Sequence, residues 1–143
     1  MSTKDTERLE NELKSASNIE DYFDDNEDNL KQFTFKSYFE HLISTKNLNK
    51  TDVIKRSGLD QVYAYHIIAG RKNKPARSKV IALALAMKLT PKEAQHLLHY
   101  AGAAQLYVRD SWDSVIYFAL ENHLTVDETE ELLNNLSQPS LLT

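Results

Sequence analysis

The chain has 143 residues, 17 Lys plus Arg against 21 Asp plus Glu, and no cysteine, a length at which one compact core uses most of the sequence. The lack of cysteine excludes disulfide scaffolds, thiolate metal centres and thiol nucleophiles. The longest apolar run, Val80 to Met87, is far short of the roughly 20 residues a membrane helix needs, so no membrane partner is expected. The net charge of −4 hides an asymmetry. Residues 1–45 carry five basic against eleven acidic side chains, a balance of −6, and residues 89–143 carry two against eight, again −6. Between them, residues 46–88 carry ten (Lys46, Lys50, Lys55, Arg56, Arg71, Lys72, Lys74, Arg77, Lys79, Lys88) against Asp52 and Asp60, a balance of +8. A clustered positive field attracts phosphate whatever the total charge.

In chain order, residues 1–32 come first as an acidic arm. Apolar residues are sparse there, and Ile19-Glu-Asp-Tyr-Phe-Asp-Asp-Asn-Glu-Asp28 surrounds two aromatics with carboxylates. Such a composition buries too little surface to offset its ordering entropy. The expectation is therefore a flexible arm with a frayed helix over Thr6 to Ser15, open to a protein partner through its acidic stretch. Its polar opening, Met1 to Lys14, is unlike a secretory signal, which implies a cytoplasmic protein.

From Phe33 onward the apolar spacing is helical, with no useful strand alternation. Phe35, Phe39, Leu42 and Ile43 form one stripe of a helix from about Thr34 to Lys46. Asn49 caps a second, short helix from Lys50 that Gly58 ends. Asp60 caps a third, Gln61 to Ala69, closed by Gly70 and followed by the loop Arg71-Lys-Asn-Lys-Pro75. A fourth, about Arg77 to Lys88, is apolar on nearly every face and is predicted to be the buried centre. Thr90-Pro91-Lys92-Glu93 is a capping box that opens a fifth helix ending near Gly102. Asp110 or Ser111 starts a sixth, and Thr125-Val-Asp-Glu128 caps a seventh that runs to about Leu136. The fold class is thus all-α: a bundle over 33–136, with 137–143 as a frayed tail.

The two short helices joined by Ser57-Gly58-Leu59-Asp60 have the spacing of a helix-turn-helix. Asn49-Lys-Thr-Asp-Val-Ile54, Ser57-Gly-Leu-Asp-Gln-Val-Tyr-Ala-Tyr-His-Ile-Ile-Ala-Gly70, the basic loop closed by Pro75 and Leu83-Ala-Leu-Ala-Met-Lys-Leu89 together resemble the lambda-repressor-like (XRE or Cro/cI-type) regulators, over about residues 33–101. The resemblance implies a sequence-specific regulator of transcription that binds double-stranded DNA with the helix at about 60–69 in the major groove, and the helices after Gly102 are an extension of that bundle. A two-fold operator implies a homodimer.

In that arrangement Gln61, Val62, Tyr63 and His66 are the candidate base contacts, since a Gln suits adenine and a Val suits a thymine methyl. Lys50, Arg71, Lys72, Asn73, Lys74, Arg77 and Lys79 are the candidate phosphate contacts, bunched around the glycine-framed helix. A reading from a different class also stands. The third helix has no Lys or Arg and the total charge is negative, so the scaffold also suits a protein–protein interaction adaptor. Enzymatic signals are weak. His96 and His99 share a helix face without a third ligand at a sensible spacing, and no nucleophile, acid–base pair or phosphate loop is present. Neither catalysis nor a cofactor is expected.

Overall fold

The computed structural model describes residues 6–16, 19, 33–71 and 74–142, which hold eight α-helices and no strand. The chain divides into two units, residues 1–32 and 33–143. In the first, α1 (Thr6–Ser15) has no buried residue, and its Arg8 and Glu12 lie 3.5 Å apart one turn on. The expected flexibility of the rest of the arm falls outside the described residues.

The second unit contains α2 (Phe35–Thr45), α3 (Lys50–Ser57), α4 (Gln61–Ile68), α5 (Arg77–Ala86), α6 (Pro91–Tyr100), α7 (Ser111–Glu121) and α8 (Val126–Asn135). Most of these helices begin where a short polar side chain takes up an orphan backbone N–H. Asn49 accepts from the Asp52 N–H, Asp60 from Tyr63 and Asp110 from Asp113, while Thr90 with Glu93 and Thr125 with Glu128 make complete capping boxes. A capping box of Thr34 with Ser37 opens α2 as well.

α5 is the centre of the bundle. Every residue from Val80 to Met87 is buried, because the helix packs against α3, α6, α7 and α8 together. α2 closes the unit on another side, against α4 and α6, with Phe39 and Leu42 inward. A helix apolar all round is stable in water only when neighbours cover all its faces.

The link from α6 to α7 shows how side chains replace secondary structure. Gln95 donates to the Leu106 carbonyl and accepts its N–H, Arg77 donates to the carbonyls of Ala104 and Gln105, and Asp113 accepts the Tyr107 N–H. The backbone groups of an irregular segment are thereby satisfied against the bundle.

Two details concern the ends of elements. The tail expected to fray is held through Leu142: the Glu130 carboxylate accepts the N–H groups of Leu141 and Leu142 and the Ser140 hydroxyl, and the Trp112 indole donates to the Pro139 carbonyl. Leu141 is buried in the core. The ties to Glu130 and Trp112, both far back in the sequence, and the burial of Leu141 turn a short tail into structure. Gly58, between α3 and α4, has φ +73°, and a Cβ there would stand 3.1 Å from Leu142 Cδ1. Gly58→Ala is expected to lower stability by about 1 kcal/mol, mainly from the left-handed backbone, as read by urea unfolding. An unchanged midpoint would show that the turn relaxes.

Candidate nucleic-acid interface

The surface around α4 is built by its own periodicity. Ala64, Ile67 and Ile68 are buried, while Gln61, Val62, Tyr65 and His66 are exposed. Positions i, i+1, i+4 and i+5 share one side of a helix, so these four make the outward face. Tyr63 is half-buried and packs against the core, with its N–H given to the Asp60 cap. The structure thus places Gln61, Val62 and His66 together as expected, sets Tyr63 at the edge and brings Tyr65 onto the face.

The basic side chains divide into two groups. In the first, the structure supplies carboxylate partners from the acidic flanks. Lys50 is bound to Glu40, both about one-third exposed, and Lys46 lies 2.9 Å from Glu93. Arg77, expected on phosphate, is instead committed inward. Its Nη1 and Nη2 donate to the two oxygens of Asp113 at 2.9 and 2.8 Å, Nε and Nη2 donate to the carbonyls of Ala104 and Gln105, and the guanidinium lies 5.9 Å from the centre of the Trp112 ring. With its fork filled by a carboxylate and two carbonyls, Arg77 is an anchor between α5 and α7, and this corrects its assignment. Asp113 responds to the same contact. Burial pushes its carboxyl up, but the bonds from Arg77 and from the Tyr107 N–H outweigh that and hold it below the ordinary aspartate value.

In the second group, Arg71 and Lys74 are exposed, Lys79 is half-buried, and none of the three forms an ion pair among the described residues. Lys74 takes a left-handed backbone, φ +58°. Lys72 and Asn73 lie outside the described residues. Arg71 and Lys74 line a groove of about 660 Å³ that runs past the C-terminal end of α4, with Ile67, Pro75 and Ala101 along it. Lys36, on the first turn of α2, lines the same groove. A Cβ on Gly70 would be 3.7 Å from the Lys36 Cβ, so α2 begins directly beside the end of α4.

Sequence reasoning missed Lys36 because it lies in the acidic first third of the chain. It also left Tyr65 off the contact set, although the i, i+4 spacing from Gln61 was the available signal. His96 is half-buried edge-on to Tyr38, 6.2 Å between ring centres. Burial lowers its pKa, Lys92 and His99 add to that, and Glu93 opposes. Among the described residues no group of three or more His, Asp or Glu is placed to hold a metal ion, and no helix is long and apolar enough to cross a membrane.

Comparison with known proteins finds no family model, no curated protein and no solved structure that matches the chain.

Proposed function

We propose that the chain is a sequence-specific double-stranded DNA-binding regulator of the helix-turn-helix type, similar to the lambda-repressor-like group, acting as a homodimer in the cytoplasm. α3 and α4 are its helix-turn-helix, and α4 enters the major groove. One observation carries the reading: the outward face of α4, Gln61, Val62, Tyr65 and His66, is bordered at its C-terminal end by Arg71, Lys74 and Lys36, cations without an ion pair among the described residues. Polar and apolar groups on the helix suit base edges, and the cations beside them suit the phosphates that set its register. Lys50 contributes only by exchanging Glu40 for phosphate. Gln61, Val62 and His66 read bases, and Tyr65 joins them.

Selection from a random duplex library by the purified full chain, at two salt concentrations, tests the proposal. A two-fold site with a steep salt dependence is expected. Failure to enrich any site, with weak binding lost at moderate salt, would overturn it in favour of the adaptor. Lys36→Ala and Lys74→Ala are each expected to weaken binding to all duplexes alike and to reduce the salt slope by about 1. A sequence-selective loss from either would move that residue to the base contacts.

A further inference from the structure

The outward side of α7 is apolar where it meets water. Tyr107 and Val108, in the turn before the helix, are each 60% exposed, and Phe118 and Tyr117 on the helix are 54% and 37% exposed. The Ser114 hydroxyl bonds the carbonyls of Val108, at 2.5 Å, and Asp110, at 2.9 Å. The turn is therefore held against the helix at Ser114, one turn before Phe118 and on the same face. The turn that carries Tyr107 and Val108 thus lies along the side of α7 on which Phe118 is exposed, and apolar exposure gathered in this way marks an interaction surface. Arg109 stands just before α7 and Glu121 is its last residue, both exposed, and neither forms an ion pair among the described residues.

We infer that a second copy of this chain docks on this patch, α7 against α7 in an antiparallel two-fold arrangement. A two-fold interface must be complementary to itself, and opposite charges at the two ends of α7 meet that requirement. An antiparallel second copy sets Arg109 of each copy, just before α7, toward Glu121 of the other, the last residue of α7, with the exposed apolar side chains along the seam. A basic or an acidic partner would match only one end of the patch. The position is also compatible with the surface on α4, since α7 packs on α5, α6 and α8, while α4 packs on α2 and α3. Docking here leaves both α4 faces open. The inference deepens the DNA-binding reading by naming the surface that would set two α4 helices on one operator, yet its test needs no DNA.

Sedimentation equilibrium of the full chain across the micromolar range is the test. Wild type is expected to dimerise. Phe118→Asp, an exposed position that leaves the core intact, is expected to weaken association at least about tenfold, as loss of an aromatic anchor does, with an unchanged melting curve at dilutions where wild type and variant are both monomeric. Arg109→Glu and Glu121→Arg are each expected to weaken it, and together to restore it. A wild-type chain that stays monomeric throughout, or a dimer indifferent to Phe118→Asp and to both charge reversals, would overturn the inference. A dimer that selects no duplex site would overturn the DNA-binding reading alone, and a monomer that selects a single half-site would overturn this inference and the homodimer while leaving sequence-specific DNA binding in place.

Discussion

Replacing Arg77 by Ala is expected to lower the folding free energy by about 3 kcal/mol and the melting temperature by roughly 10 °C. Asp113 is the reason. Its side chain is only 8% exposed, and without the guanidinium it would keep a buried charge with one backbone N–H, from Tyr107. The carbonyls of Ala104 and Gln105 would lose their donor as well. Exposed pairs such as Lys50 with Glu40 contribute about 0–1 kcal/mol, so this single contact should outweigh the surface pairs together. Arg77→Lys should recover only part of the loss, because an ammonium lacks the fork that meets two carboxylate oxygens at once.

Acid should reveal the same contact. The folded Asp113 carboxyl titrates below its unfolded value, so its contribution is fully present above the ordinary aspartate range and is lost as the pH falls through the folded pKa. The stability gap between wild type and Asp113→Asn should therefore shrink on acidification, as followed by urea unfolding at a series of pH values. A gap that stays constant, or an Arg77→Ala loss below about 1 kcal/mol, would show that the contact is incidental. The salt slope of DNA binding should not change in Arg77→Ala, in contrast to Lys74→Ala, because Arg77 is turned inward.

Gln61→Ala should have the largest effect on specificity, about 1–3 kcal/mol at one base step with relaxed preference there. The position opens α4, next to the Asp60 cap, and is exposed. A side-chain amide there has the reach and the paired donor and acceptor for an adenine edge. Equal losses on selected and scrambled duplexes would remove Gln61 from readout. Tyr65→Phe and Tyr63→Phe make a second comparison on the same helix. The outward position of Tyr65 predicts a response on selected DNA, while the half-buried Tyr63 should respond mainly in stability.

The helix ends were legible in the sequence to within a residue or two. Asn49, Asp60, Thr90, Asp110 and Thr125 cap where their side-chain chemistry predicts, and Gly58, Gly70 and Gly102 take positive φ where helices stop. The face of α4 was legible in part. Its spacing separates Ala64, Ile67 and Ile68 from Gln61, Val62 and His66, but a contact list that named Tyr63 ahead of Tyr65 ran across the edge of the helix. The charge count was the least reliable guide. A balance of +8 over residues 46–88 treats ten cations alike, whereas Lys46, Lys50 and Arg77 are taken up by Glu93, Glu40 and Asp113 from the acidic flanks.

The sequence by itself determined the all-helical class, the starts and stops of the helices after Phe33 and the burial of α5. Caps, glycines and apolar stripes act within about one turn of the chain, so their physics is complete before anything packs. Only the tertiary structure decided that Arg77 anchors Asp113, 36 residues away, that Lys36 shares a groove with Arg71 and Lys74, and that Glu130 holds the tail. These depend on which helix surfaces meet, and a charge is paired or left to water only once that packing has chosen its neighbours.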